Sequence, residues 1–169
     1  ETAYLQGRGL NAKIIRHFGL GCAPNRWDGL LRHMRQKGYS EAELVNANLA
    51  RRSDKNGRTS CYDNFRNRMM IPIIDLRGNV IAFGGRVLDD AKPKYVNTSD
   101  TLVYKKSQAI FALNFAKSAN QGKLILAEGY MDVIAYHQAG FTNAVACLGT
   151  ALTREQARLL ARYADEVIL

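Results

Sequence analysis

The sequence lacks the features that would place it in a membrane, a disulfide scaffold or a zinc site. No apolar run approaches the ~20 residues a membrane-crossing helix needs, and the first residues carry no basic-then-apolar leader pattern. A cytoplasmic protein without membrane contact is expected. The three cysteines, Cys22, Cys61 and Cys147, are odd in number and widely separated, which argues against a disulfide framework and points to a reducing compartment. His17, His33 and His137 share no metal-ligand spacing, and no serine- or cysteine-centred nucleophile motif occurs. With only three prolines and an apolar fraction of 47%, the chain is globular rather than linker-like.

Acidic residues are also scarce, 15 against 24 Lys and Arg, for a net charge of +9. The imbalance is local. Residues 1–120 carry 20 Lys/Arg and 10 Asp/Glu, leaving 4 and 5 for residues 121–169. A basic excess confined to one part suits a polyphosphate partner, because each phosphate contact also releases condensed counterions; a merely soluble basic surface is the alternative.

Asn11 and Gly19 bracket a short helix over Ala12–Phe18, Trp27–Lys37 places Leu30, Leu31 and Met34 at helical spacing, and Ser40-Glu41-Ala42-Glu43 is a capping-box pattern opening another helix. Trp27 is expected in the core. Arg51–Tyr62, with Asn56-Gly57 at its centre, reads as a hairpin, and Met69–Ile74 with Val80–Phe83 as a second one. Pro72 places its strand at an edge or beside a bulge. Asp89–Thr101 reads as a loop and Ser107–Ser118 as a helix. A subdomain boundary is expected at Asn120-Gln121-Gly122. Beyond it, strand and helix alternate: Leu124–Ala127, Tyr130–Ala139, Ala144–Leu148, Arg154–Tyr163, Val167–Leu169. Such alternation implies right-handed crossovers and a parallel sheet.

The chemistry-bearing residues cluster where these strands end. Leu124–Ala127 delivers Glu128 into a Gly turn, with Asp132 one helical turn further on the same face. Ligands collect at the ends of strands in open α/β sheets, and a hard divalent cation that keeps several waters needs few carboxylates. Glu128 could instead be a carboxylate stabilised by the helix N-terminus. Arg86 follows Gly84-Gly85, where missing side chains would let a nucleotide approach and the guanidinium take a phosphate; a β-bulge with a solvated Arg is the alternative. Arg8, Arg68, Lys94, Lys105 and Lys106 are further cations beside Gly, strand-end or loop residues. Gly149-Thr150 could present backbone N–H groups and a hydroxyl beside Glu128, or form a plain turn.

Seven ordered segments resemble the RNA polymerase domain of bacterial DnaG-type DNA primases. They are Tyr4-Leu5 with Arg8-Gly9-Leu10, Phe65–Ile73, Ile81–Arg86, Pro93–Asn97, Tyr104–Lys106, Glu128–Val133 and Leu148–Thr153. The resemblance implies an α/β fold in which a basic N-terminal α/β subdomain, residues 1–120, precedes a truncated TOPRIM βαβαβ parallel-sheet unit, residues 121–169. It implies that Glu128 is the TOPRIM glutamate of a magnesium or manganese site and Asp132 its supporting carboxylate. Arg8, Arg68, Arg86, Lys94, Asn97 and Lys106 match positions that handle template and nucleotides, with Gly149 and Thr150 beside them. The implied activity is template-directed synthesis of RNA primers from ribonucleoside triphosphates on single-stranded DNA.

Ser99-Asp100 and Ile71 depart mildly from the family pattern. The larger departure is that the family's Asp-x-Asp ligands would fall beyond Leu169. This chain alone is therefore expected to bind metal poorly and make no primer. The family's zinc-binding module and its region for the replicative helicase are expected outside this sequence. A noncatalytic single-stranded DNA binding module with a vestigial TOPRIM unit is the other reading, and residues 1–120 disfavour a topoisomerase or nuclease.

Overall fold

The computed structural model describes residues 5, 7, 9–55, 57–119, 122–149 and 151–169, with the side chains of residues 55 and 58 left aside. Arg8, Thr150 and the Asn120-Gln121 part of the expected boundary lie outside the described residues.

Among the described residues the chain forms two four-stranded sheets and a separate hairpin. Helix α1 (Ala12–Phe18) begins where the Asn11 side chain accepts from the Ile14 N–H and ends at Gly19, whose φ of 63° suits glycine. Strand β1 (Gly21–Ala23), α2 (Gly29–Gln36) and α3 (Glu41–Asn46) follow, α3 opening with the expected capping box between Ser40 and Glu43. Strands β2 (Ala50–Lys55) and β3 (Arg58–Asp63) form the expected hairpin. Strands β4 (Arg68–Ile74), β5 (Val80–Val87) and β6 (Tyr95–Asn97) complete an antiparallel sheet in the order β1-β4-β5-β6. Pro72 is tolerated because β1 pairs with β4 only from Arg68 to Met70, which leaves that flank of β4 without a strand partner at Pro72.

Strand β7 (Ile110–Phe111), α4 (Leu113–Ala119), β8 (Lys123–Ala127), α5 (Tyr130–Gln138), β9 (Ala144–Cys147), α6 (Arg154–Leu160) and β10 (Glu166–Ile168) build the second sheet, ordered β10-β8-β9-β7. Strands β10, β8 and β9 are parallel, and β7 runs antiparallel to β9. Strand β9 is buried on both faces, as its apolar run requires. Ala144 and Ala146 face a cluster holding Ile14 and Phe18 of α1, Met69, Ile71 and Ile73 of β4, and Val133 and Ile134 of α5. Val145 and Cys147 face Leu113, Ala116 and Leu160 on the other side. One core thus joins the two sheets, with α5 between them.

Three expectations are corrected. Trp27 is 59% exposed and precedes α2, its ring stacked on Tyr62 at 4.7 Å. The segment expected as a single helix from Ser107 contains β7 first, because Ile110 and Phe111 pair with Cys147 and Ala146 before Ala112 turns at φ 64° into α4. Within Asp89–Thr101, Tyr95–Asn97 is a strand paired with Gly84–Arg86. Each involves a partner distant in sequence.

Candidate nucleotide-binding cleft

Glu128 stands at the end of β8, where the chain leaves the sheet for α5, and its side chain is exposed. Gly129 occupies the helix N-cap in extended conformation, and Asp132, also exposed, lies in the first turn. The Asp132 carboxylate folds back towards Gly129, with Oδ2 3.7 Å from where a Cβ there would sit. The helix end favours negative charge at both positions.

Across from these carboxylates runs the β5–β6 edge of the first sheet. A cleft of about 430 Å³ is lined by Arg86, Lys94 and Asn97 on that side and by Glu128, Asp132 and Gly149 on the other. The two sheets therefore bring to one opening six of the ten residues that the primase resemblance assigns. Lys106 joins at the rim, its Nζ 3.5 Å from the Gly149 carbonyl oxygen. Among the described residues the salt bridges join Arg32 to Asp28, Arg35 to Glu41 and Lys123 to Glu166, so none involves the charged groups of the cleft.

The reason for Gly84-Gly85 differs from the one expected. A Cβ on Gly84 would lie 2.7 Å from Tyr130 Cζ, and one on Gly85 would lie 2.8 Å from Phe65 Cδ1. The space above both glycines is filled by the protein itself, not kept for a nucleotide. The bulge alternative also fails, since Gly84, Gly85 and Arg86 keep regular register with β4 and β6, and the irregularity in β4 falls at Ile73/Ile74. Arg86 is buried, donating to the Tyr95 hydroxyl at 3.1 Å with its guanidinium 5.5 Å from that ring's centre. It reaches the cleft as a fixed, partly desolvated cation.

Arg68 sits apart from the carboxylates. Its guanidinium donates to the carbonyl oxygens of Pro93 at 3.0 Å, Gly85 at 3.2 Å and Lys94 at 3.4 Å. Burial, with help from Arg66 and against Asp89, lowers its pKa. It holds the strap that carries Lys94. On its outer side a second cavity of about 490 Å³ is lined by Arg51, Arg66, Lys92 and Tyr62 among others. There Arg66 lies 4.5 Å from the centre of the exposed Trp27 ring and 5.1 Å from that of Tyr62. Sequence reasoning missed this stack.

It also missed Tyr130. The residue begins α5, and its hydroxyl donates to Asn97 Oδ1 at 2.9 Å while Asn97 Nδ2 approaches the Leu148 carbonyl oxygen at 3.5 Å. Burial, with Tyr104 and Tyr95 nearby, pushes the phenol far above its ordinary value. The one available signal was its place directly after Glu128-Gly129.

Residues 1–117 match the family described as DNA primase catalytic core, N-terminal domain, and residues 125–169 match a Toprim-like family. The chain belongs to the DNA primase catalytic core family. It is 50% identical over 167 residues to the DNA primase of Clostridium acetobutylicum, covering 98% of this chain and 27% of that protein. With the DNA primase of Deinococcus radiodurans it shares 52% identity over 168 residues, 98% of this chain and 29% of that one. The solved primase catalytic core of E. coli superposes with a TM-score of 0.89 at 39% identity, over 98% of this chain and 53% of that chain. A DnaG primase catalytic domain solved bound to single-stranded DNA gives a TM-score of 0.88 at 40% identity, over 98% and 51%. The chain spans about half the length of these solved primase structures and little more than a quarter of the two curated primases. The α/β fold expected from the primase resemblance agrees with these superpositions, the mixed second sheet corresponding to a truncated TOPRIM unit.

Proposed function

We propose that the intact protein is a primase, a template-directed RNA polymerase that joins ribonucleoside triphosphates on single-stranded DNA, and that the cleft between the two sheets is its polymerisation site. The observation that carries this reading is the arrangement of Glu128 and Asp132 opposite Arg86 and Lys94 around one opening. Acidic oxygens facing fixed cations suit a triphosphate and the developing charge of nucleotidyl transfer. Arg86, Lys94 and Lys106 would hold phosphate oxygens. Asn97 and the backbone at Gly149-Thr150 would orient them, and Arg8 belongs to the same basic set by family position.

Glu128 and Asp132 fit magnesium or manganese, since both are exposed carboxylates lining the same cleft, four positions apart where β8 gives way to α5. A divalent ion held there would neutralise triphosphate charge and acidify the attacking 3′ hydroxyl. The proposal includes that this chain by itself makes no primer.

The template strand would approach over the second cavity. Trp27 and Tyr62 offer stacking faces and Arg51, Arg66 and Lys92 offer phosphate contacts, while the relative bound to single-stranded DNA supports strand binding by this fold. The proposed division places 1–120 in the basic subdomain and 121–169 in the TOPRIM unit. The two family matches, ending at residue 117 and starting at 125, support it, while β7 and α4 of the first stretch pack with the second sheet. No helix among the described residues is long and apolar enough to cross a membrane, and a cytoplasmic setting is proposed. A helicase contact and a zinc module would belong to regions beyond this sequence.

The decisive experiment is primer synthesis by the intact protein carrying Glu128→Gln. Synthesis should fall at least a hundredfold, on the scale of losing one electrostatic group at a reacting centre. Wild-type synthesis by that variant would remove the polymerase reading.

A further inference from the structure

The cleft contains one part-buried polar contact that the charges do not explain. Tyr130 is the first residue of α5, fixed in place by the Gly84 backbone beneath its ring and by the edge-on Phe111 ring at 4.9 Å. Its hydroxyl reaches across to β6 and meets Asn97 Oδ1 at 2.9 Å. The other end of that amide faces the Leu148 carbonyl oxygen, which can only accept, so Nδ2 must be the group on that side. The phenol therefore donates to Oδ1. Deep burial, with Tyr104 and Tyr95 nearby, holds its pKa far above the ordinary value, so the hydroxyl keeps the proton that it donates.

The consequence lies over Gly149. The position that a Cβ would take there is 3.8 Å from Asn97 Nδ2 and 3.8 Å from Lys106 Nζ. Two donors from different segments thus lie at van der Waals distance from one point on the cleft wall. Lys106 is itself held by its backbone, its N–H donating to Asp100 Oδ1 at 2.9 Å and its carbonyl accepting from Gln156 Nε2 at 3.1 Å. The Asn97 backbone is held in β6 opposite Gly84, and among the described residues its side-chain amide meets Tyr130 and, at 3.5 Å, the Leu148 carbonyl oxygen.

We propose that Tyr130 is a positioning residue, whose hydroxyl locks the Asn97 amide with its donor end outward so that Asn97 and Lys106 together receive a phosphate oxygen of a nucleotide above Gly149. This rests on the polymerase reading of the cleft. The phosphate comes either from the incoming triphosphate or from the bound strand, and the chemistry of recognition is the same for both.

The test uses the intact protein with Tyr130→Phe, which keeps the ring and removes only the donor. Two constants are measured: KM for ribonucleoside triphosphates in primer synthesis, and Kd for a fluorescent single-stranded dT oligonucleotide. One constant should rise about tenfold, the scale of one lost hydrogen bond, with kcat within about twofold. A rise in KM assigns the triphosphate, and a rise in Kd assigns the strand. In an Asn97→Ala background the same Tyr130→Phe change should have no further effect, because its target is gone. Asn97→Asp, which keeps the acceptor for Tyr130 and loses the donor, should raise the same constant. Parental values of both constants in Tyr130→Phe, or an undiminished effect without the Asn97 side chain, would overturn the proposal. Loss of synthesis in Glu128→Gln alongside that result would retire the positioning role alone. Retained synthesis there would retire the polymerase reading, while the oligonucleotide arm still decides Tyr130.

Discussion

At the scale of single residues, the position of Glu128 was legible because it is a local property. An apolar strand ending in Glu-Gly before a helical period has few ways to fold, and the carboxylate falls at the sheet rim. Gly84 was legible as special but not for the right reason, since its neighbour Tyr130 comes 46 positions later and only the three-dimensional packing reveals the contact. Gly84→Ala would press a methyl group to within 2.9 Å of three Tyr130 atoms. The ring is wedged against Phe111, so it cannot simply swing aside. The substitution should destabilise the protein by about 1–3 kcal/mol, the usual cost of overpacking, and lower its urea midpoint. Gly78, which unlike Gly84 turns at positive φ and has nothing within 4 Å of its Cβ position, should cost about 1 kcal/mol on change to Ala, through backbone strain alone.

At the scale of elements, helices and strands with internal periodicity were readable, and short pairings were not. The capping box at Ser40-Glu43 declares its helix within four residues. Strands β6 and β7 hold three and two residues, too few for a pattern, and exist because β5 and β9 offer open edges. Trp27 misled because tryptophan burial is a tendency of composition, whereas its stack on Tyr62 and Arg66 depends on where the β2–β3 hairpin lies. Its exposure makes it separable from the core. Trp27→Ala should weaken binding of a single-stranded oligonucleotide by about 1–3 kcal/mol. Fluorescence anisotropy titration would measure this, and an unchanged Kd would take the template path away from this face. Helix α6 shows the reverse case: Gln156 is wholly buried and its Nε2 donates to the carbonyls of Lys106 and Ala109. Gln156→Ala would strand both acceptors, lowering stability by about 1–3 kcal/mol and loosening the turn that carries Lys106.

At the scale of the whole molecule, what the sequence could not reveal is that both halves share one core, since a continuous cluster across two sheets is a property of packing. His137 lies in that shared region, on α5, 5% exposed, with Nε2 2.9 Å from the Ala144 carbonyl oxygen of β9. A carbonyl oxygen only accepts, so Nε2 carries the proton and Nδ1 is bare, and Nδ1 has no partner among the described residues. Burial holds the imidazole below its ordinary value of 6.5, the Ala144 bond opposes the shift, and His17, with its ring centre 6.0 Å away, adds to it. The unfolded chain then binds a proton that the folded chain refuses. Stability contributed by the neutral form is complete above the unfolded value and is lost as pH falls below it. The melting temperature of the intact protein should therefore decline from about pH 6.5 downward, a window set by the unfolded histidine. His137→Gln keeps an N–H for Ala144 and cannot titrate, so it should flatten that acid limb while lowering the plateau modestly. An acid limb of unchanged steepness in the variant would show that protonation elsewhere, not at the junction of the two sheets, drives the loss.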